Sequence, residues 1–226
     1  MYFDQYYMIL IVPTLILSLI AQIMVKSTFA RYSKVEPRRR ITGAEAAGIL
    51  LRTNGISDVS IEPVGGSLTD HYNPSKKTLA LSEPVYGEST IAAIGVAAHE
   101  TGHAIQHARG YGPLALRSLL VPMAGIGSSL GPYIAIAGIF FSLPWLLNLG
   151  ILLFSVAVLF YVVTLPVEFN ASSRAIAILR SNAVLSDEEL AGVRKVLTAA
   201  AMTYVASALT AIASLLRLIL LSRRRD

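Results

Sequence analysis

The sequence predicts a mainly α-helical membrane protein with about four transmembrane helices and one small α+β unit. Of its 226 residues, 54% are hydrophobic and only 15% are charged, and the mean hydropathy is +0.60. This composition is typical of membrane spans rather than of a soluble core. Four apolar runs approach or exceed the roughly 20 residues that cross a bilayer, and the polar remainder carries helix and strand patterns.

The four apolar runs contain no acidic residue, and their only charge is Arg217, which we expect to snorkel from the last run to the interface. Before the first run the chain has Asp4 and no lysine or arginine. This favours a retained anchor over a signal peptide, which begins with a basic region. We expect one membrane domain over residues 1–226, with spans at residues 8–25, 119–141, 145–165 and 197–221.

The second and third runs form a predicted helical hairpin. Ser142-Leu143-Pro144 lies between them and is typical of a tight turn. Gly127 and Gly131 lie four residues apart in the second run, a spacing that permits close contact between helices in lipid. A hairpin returns the chain to the same side of the membrane, so the segment before residue 119 and the segment after residue 165 share one face.

The distribution of basic residues predicts the orientation in the membrane. Between Lys26 and Arg117 lie 11 of the 19 basic residues. The positive-inside rule then places this segment in the cytoplasm and the N-terminus outside. Four full spans also place the tail Arg223–Arg225 outside, against the rule. Either the fourth run does not span the membrane, or the 11 basic residues outweigh the three of the tail in setting the orientation. We favour the second explanation.

Residues 26–118 form the predicted polar α+β unit. Thr42 and Glu45 have the spacing of a capping box, which predicts a helix over residues 43–54. Alternation of apolar residues and turn residues around Asn73-Pro74 predict three strands, at residues 59–64, 68–72 and 78–82. A helical pattern follows over residues 90–109. A polar segment over residues 166–196 has a second capping box at Ser186 to Glu189.

The second helix of this unit carries His99-Glu100-Thr101-Gly102-His103. Residues four apart share a helix face, so His99 and His103 can bind one ion, and imidazole is a good ligand for Zn²⁺. Glu100 is then placed to act as general base on a metal-activated water. The alternative is chance, but these polar groups lie in an otherwise apolar helix, where burial without a role is costly. The chain has no cysteine, which excludes thiolate ligands.

A third ligand is expected, since a catalytic zinc keeps one position open beside three protein ligands. His107 lies on the same helix, but a straight helix separates it from His99 by about 12 Å. It is better interpreted as a surface or supporting histidine. Glu168 follows the third run, where Pro166 suits a first helical turn. The hairpin returns Glu168 to the face of the zinc-binding helix, although a simple ion pair with Arg174 is the alternative.

Three further residues are candidates for contacts with a substrate or a transition state. His71 or Tyr72, which precede the helix that carries His99, could donate a hydrogen bond to an oxyanion. Arg174 could neutralise a buried carboxylate or bind substrate. The alternative for the first two is that they are ordinary polar residues of an exposed turn, and the alternative for Arg174 is a salt bridge.

Several segments together resemble the YugP-like bacterial family of membrane neutral zinc metallopeptidases. They are Asp70-His71-Tyr72-Asn73-Pro74, Leu81-Ser82-Glu83-Pro84-Val85-Tyr86, Val96 to Gln106, and Leu165 to Ser172. The resemblance implies a zincin-like unit of gluzincin type, with His99, His103 and Glu168 on one zinc and Glu100 as base. It also implies a relation to HtpX-like membrane proteases. The expected location is then the bacterial cell membrane, with the active site facing the cytoplasm. In those relatives a carboxylate follows the ligand glutamate and supports a zinc histidine. Here Asn170 and Ser172 stand instead.

The sequence therefore predicts a zinc-dependent membrane endopeptidase that acts on polypeptides, including membrane or misfolded proteins. The competing hypothesis is a non-enzymatic membrane scaffold with a structural zinc site. A transporter is disfavoured because the spans lack ionisable groups other than Arg217. The net charge is +5, and the basic residues cluster beside apolar segments. No nucleic-acid recognition motif appears, so we expect the lipid bilayer as partner and no nucleic acid.

Overall fold

The computed structural model describes residues 4–223, which form two compact units. The first unit comprises residues 4–22, 113–166 and 202–223, and the second comprises Ile23–Gly112 and Val167–Ala201. After a π-helical turn at Tyr7–Ile11, the helices and strands are α1 (Val12–Tyr32), α2 (Gly43–Thr53), β1 (Ser60–Val64), β2 (His71–Asn73), β3 (Thr78–Ser82), α3 (Glu83–Tyr86), α4 (Ile91–Ala108), α5 (Gly112–Phe140), α6 (Pro144–Ser181) and α7 (Asp187–Arg223).

Four helices within the described residues are long and apolar enough to cross a membrane. Their bounds are Tyr7–Tyr32, Gly112–Phe140, Pro144–Ser181 and Asp187–Ser222. The predicted fold class, mainly α-helical with four spans and a small α+β unit, is therefore confirmed. The assignment of residues 1–226 to one domain stays a prediction.

The long helices extend well beyond the predicted apolar runs. Pro166 was expected to lie in the first turn of a new helix, and this is wrong, because Pro166 lies inside α6. A proline removes one backbone hydrogen bond but does not by itself end a long helix that packing holds on both sides. Much of the predicted polar segment is consequently helical, as the last part of α6 and the beginning of α7. Ser186 and Glu189 bond each other's backbone at the start of α7, as the capping box predicts.

In the first unit, α5 and α6 form the predicted hairpin. The turn between them includes Ser142, whose φ is 56°. Their backbones are in close contact: a Cβ added at Gly127 would lie 2.2 Å from the carbonyl oxygen of Leu153, and one at Gly131 would lie 2.9 Å from the Phe154 backbone nitrogen. Both glycines are therefore needed for the approach of the two helices, as the spacing predicted.

A second contact in this unit joins Asp4, which precedes the π-helical turn, to the last part of α7. Asp4 accepts a hydrogen bond of 2.6 Å from a terminal nitrogen of Arg217, whose guanidinium lies 5.3 Å from the Tyr7 ring centroid. Arg217 is thus paired with the Asp4 carboxylate, and the expectation that it snorkels to the interface stays a prediction. The tail residues 224–226 lie outside the described residues, so the expectation for the arginine tail stays a prediction.

The second unit contains a three-stranded sheet in the order β1-β3-β2. Strand β1 runs parallel to β3, and β2 pairs antiparallel with β3. Strand β3 is buried in the middle, whereas His71 at the start of β2 is exposed. All three strands were predicted. The second was predicted at residues 68–72 and lies at His71–Asn73.

Helix α4 forms the centre of the second unit and is packed on two sides. One core cluster joins α4 to α2, to the last part of α6 and to the first part of α7. The other joins α4 to α2, β3 and α3. Helix α2 begins with the predicted capping box between Thr42 and Glu45. The position of α4 between these elements places its polar side chains inside the protein.

Candidate metal centre

Helix α4 holds the two histidines on one face. It begins at the N-cap Thr90, whose hydroxyl accepts a hydrogen bond of 3.1 Å from the Ala93 backbone. It ends where Gly110, at φ 62°, lets the following residues bond back to the last turn. The rings of His99 and His103 lie 4.8 Å apart between centroids and are nearly perpendicular. Their Nε2 atoms consequently point into one small space.

Helix α6 brings Glu168 into the same space. Its Oε2 lies 3.2 Å from Nε2 of His99 and 3.5 Å from Nε2 of His103. All three side chains are nearly inaccessible to solvent, and Glu168 is only 2% exposed. The structure thus brings together the three predicted ligands from segments 69 residues apart in the chain.

The three groups fit a zinc ion by geometry and by chemistry. Two donor atoms about 2.0–2.1 Å from a tetrahedral ion lie roughly 3.3–3.4 Å from each other. The separations of 3.2 and 3.5 Å match this closely, and all three ligand atoms fall within 4.8 Å. Two imidazoles with one carboxylate are a donor set known from catalytic zinc sites. The cluster can therefore hold a metal ion.

Each histidine is oriented by a hydrogen bond on its other ring nitrogen. Nδ1 of His99 lies 3.1 Å from the Ser172 hydroxyl, and Nδ1 of His103 lies 3.0 Å from Oε1 of Gln106. The Gln106 amide nitrogen donates to the Val167 carbonyl at 2.9 Å, which leaves its oxygen to face His103. Because that oxygen only accepts, Nδ1 of His103 carries the proton and Nε2 remains available to a metal.

Asn170 and Ser172, which follow Glu168 on α6, make different contacts. Ser172 bonds the imidazole of His99. Asn170 instead accepts from the Gln106 amide at 3.0 Å and from Nε of Arg174 at 2.7 Å. Gln106 was missed as a supporting residue. Its position three residues after His103 on an otherwise apolar face was the signal that could have identified it.

Close packing of α4 against α6 sets the distance to Glu168. A Cβ added at Gly102 would lie 2.6 Å from the carbonyl oxygen of Ala171. Only a glycine permits this approach of the two backbones. Glu168 and Ser172 flank Ala171 on the same helix, so the contact positions both residues against the histidines.

Glu100 is buried beside the cluster, with 8% of its surface exposed. Its charge also acts on His103. Burial lowers the pKa of His103, but the hydrogen bond to Glu168 and the charges of Glu100 and Glu168 raise it by more. The net pKa of His103 therefore lies above the ordinary value of 6.5 in the metal-free protein. A second carboxylate thus lies near the ligands, outside the three-residue cluster.

His107 lies apart from the metal ligands and contacts Tyr72. The Tyr72 hydroxyl lies 2.8 Å from Nδ1 of His107. Partial burial, with the nearby Asp58 carboxylate, raises the pKa of Tyr72 above its ordinary value of 10.0. The hydroxyl consequently keeps its proton and can donate it to His107. This agrees with the interpretation of His107 as a supporting residue.

The other two candidate contact residues have other neighbours. His71 is exposed on β2, and its Nδ1 lies 2.9 Å from the Thr69 carbonyl oxygen. Arg174 bonds Asn170, and its guanidinium lies 5.9 Å from the Tyr111 ring centroid. The structure thus joins Arg174 to the residues that support His103, while His71 lies on the edge of the sheet. A role for either in contacting substrate stays a prediction.

Comparison with known proteins agrees with the geometry. The family described as "Putative neutral zinc metallopeptidase" matches residues 7–223. The "Putative membrane protease YugP" of Bacillus subtilis (strain 168) is 48% identical over 215 residues, which cover 95% of this chain and 96% of that protein. No solved structure matches the chain. The matched segment includes every residue of the His99–His103–Glu168 cluster, and the chain belongs to this neutral zinc metallopeptidase family.

Proposed function

We propose that the protein is a zinc-dependent membrane endopeptidase in which Glu100 is the general base. The observation that carries the proposal is the buried cluster of His99, His103 and Glu168 with Glu100 next to the first ligand. A structural zinc site needs no such carboxylate beside its ligands. The intact glutamate therefore favours an enzyme over a scaffold.

The three ligands would hold one zinc ion per chain. Zinc in such a site supplies Lewis-acid chemistry, by polarising the scissile carbonyl and making a water acidic near pH 7. Glu100 then accepts a proton from the attacking water and delivers it to the leaving amine, as a general base and later a general acid. Its burial among apolar neighbours limits the competing bulk water near the reacting bond.

The substrate we propose is a polypeptide, including membrane or misfolded proteins. Strand β2 lies at one edge of the described sheet and contacts α4. An extended peptide can pair with an open strand edge through backbone hydrogen bonds that do not depend on its side chains. His71 is exposed on this strand, where it can reach such a peptide, whereas the Tyr72 hydroxyl is already bonded to His107.

The proposed location is a bacterial cell membrane with the metal centre facing the cytoplasm. The four apolar helices and the membrane description of the relative support membrane insertion. The 11 basic residues between Lys26 and Arg117 support the orientation. Because the chain has no cysteine, Ser75→Cys and Ser142→Cys can be labelled one at a time in intact cells. An impermeant maleimide should label only the cysteine at residue 142, and labelling of residue 75 would overturn the orientation.

The central test combines metal analysis with proteolysis of a broad peptide library by the purified protein. Wild type should hold about one zinc and cleave peptides, and Glu100→Gln should keep the zinc and lose cleavage by several orders of magnitude. The matched control is Glu88→Gln, which changes the same group at an exposed position and should leave both properties unchanged. Full activity in Glu100→Gln refutes the assignment of the base. Zinc bound without cleavage of any peptide supports the scaffold instead.

A further inference from the structure

A pocket of about 360 Å³ lies in the second unit between the end of α1 and the first part of α7. Three cations line it: Arg31 from α1, and Arg194 and Lys195 from α7. Two threonine hydroxyls, from Thr28 and Thr198, line the same space. None of these residues belongs to the metal centre, and the proposed peptidase gives them no role.

The three cations have no acidic partner among residues 4–223. Two other basic residues of this unit are paired, Arg38 with Glu188 and Arg180 with Asp187. The only described contact of the Arg31 guanidinium is with the neighbouring Tyr32 ring, 5.9 Å away. Lys195 also lines an adjacent pocket with two glutamates, but both of these glutamates bond to Arg38. Three positive charges therefore line one space, and within residues 4–223 none of them forms an ion pair.

The two hydroxyls are free to bind a ligand as well. Hydroxyls elsewhere in the long helices, such as those of Ser18, Thr164 and Ser207, donate to the carbonyl four residues earlier. Thr28 and Thr198 make no such bond within the described residues. Cations with hydroxyl donors around a concave space form a binding site for an anion with several oxygens, such as a phosphate.

The position of the pocket along both helices indicates where that phosphate comes from. On α1 it follows the uncharged run that ends at Val25, and on α7 it precedes an uncharged run from Val196 to Leu216. Both helices thus change from apolar to basic at the same pocket, as they do where a helix leaves a bilayer. Met24 lines the pocket, and Ile23 beside it is 59% exposed. An acyl chain can cover these apolar side chains while its headgroup meets the cations.

We infer that this pocket binds the phosphate headgroup of an anionic membrane lipid. Basic pockets between helices at the membrane surface bind such headgroups, because each nearby cation adds to the attraction. A free phosphate lacks the acyl chain that the exposed apolar side chains would contact. An acidic peptide would not be held at the depth where both helices enter the bilayer.

The test measures ligand binding to the full-length protein in detergent by native mass spectrometry, with phosphatidylglycerol, phosphatidylcholine, inorganic phosphate or an acidic peptide added. Wild type should bind phosphatidylglycerol in preference to phosphatidylcholine. The double variant Arg31→Gln/Arg194→Gln should bind it roughly 30-fold more weakly, from the loss of two cations near the membrane surface. The matched control is Lys26→Gln/Lys34→Gln, which removes the same charge from the same region but outside the pocket, and should bind as wild type does.

A second double variant, Thr28→Val/Thr198→Val, keeps every charge and the side-chain shape. It should weaken phosphatidylglycerol binding severalfold, and it also keeps the test informative if the arginine variant does not fold. Equal losses in the arginine and lysine variants, or full binding in the threonine variant, would show nonspecific attraction and overturn the site. No preference for the anionic lipid overturns it too. Equal binding of inorganic phosphate or of an acidic peptide would overturn the choice of a lipid.

Discussion

Substitution of Gly102 by alanine tests whether close contact of α4 and α6 sets the metal centre. The added Cβ would lie 2.6 Å from the carbonyl oxygen of Ala171, whereas ordinary contacts begin at 3.4 Å. That oxygen belongs to the backbone, so it cannot rotate away as a side chain can. The two helices must therefore separate by about 0.8 Å, the difference between the two distances.

A separation of this size should have a large effect on zinc affinity and a moderate effect on the free energy of folding. If Glu168 moves with its helix, its oxygen goes from 3.2 Å to about 4 Å from Nε2 of His99, while ligand distances in zinc sites hold within about 0.2 Å. We expect zinc affinity to fall roughly 10- to 100-fold, the scale seen when groups that orient ligands are removed. Overpacking costs about 1–3 kcal/mol, and replacement of a helical glycine by alanine returns about 1 kcal/mol. The protein should thus fold but bind zinc weakly.

The assay is competition for zinc between the purified protein and a fluorescent chelator, with thermal unfolding of the metal-free protein as a check of folding. Gly48→Ala in α2 is the matched control, because its Cβ would meet only the ends of two side chains, Arg52 at 3.4 Å and Ile61 at 3.7 Å. It should bind zinc as wild type does and be slightly more stable. If Gly102→Ala binds zinc as tightly as the control, the helix contact does not set the ligand distance and the reasoning is refuted.

Three further predictions concern the same centre. Gln106→Leu should weaken zinc binding roughly 10- to 100-fold in the chelator assay, because it leaves His103 unoriented, and unchanged affinity would contradict its supporting role. His107→Phe should leave the zinc content at the wild-type level and keep a ring beside Tyr72, so loss of zinc on metal analysis would return His107 to the ligand set. Because the pKa of His103 is raised in the metal-free protein, protons should begin to compete with zinc for His103 at a pH above the ordinary histidine pKa. Zinc binding near neutral pH should release about one proton in calorimetry with buffers of different ionisation enthalpy, and no proton release would contradict the raised pKa. Protonated His103 also forms an ion pair with Glu168. This pair should stabilise the metal-free protein fully below the ordinary histidine pKa, and the stabilisation should be lost as the pH rises through the raised pKa of His103.

Local sequence patterns predicted most of the elements because they depend on neighbouring residues. The capping boxes at Thr42 and Ser186 fixed two helix beginnings, and the glycine pair at Gly127 and Gly131 identified the hairpin contact. The bounds of the long helices were predicted less well. Apolar runs mark the part of a helix that lies in lipid. A helix can continue into polar sequence where its apolar side chains pack against other elements, as α6 does past Pro166.

The sequence by itself determined that His99 and His103 share a helix face, because that follows from the 3.6-residue period alone. It also pointed to Glu168 through the hairpin. Only the tertiary structure decided the distances of 3.2 and 3.5 Å, the choice of Ser172 and Gln106 as partners of the two imidazoles, and the parallel pairing of β1 with β3. These features depend on how far two separate segments approach, and the approach is set by side-chain volume at contacts such as Gly102 against α6. Packing of this kind acts between residues distant in the chain, and no local periodicity records it.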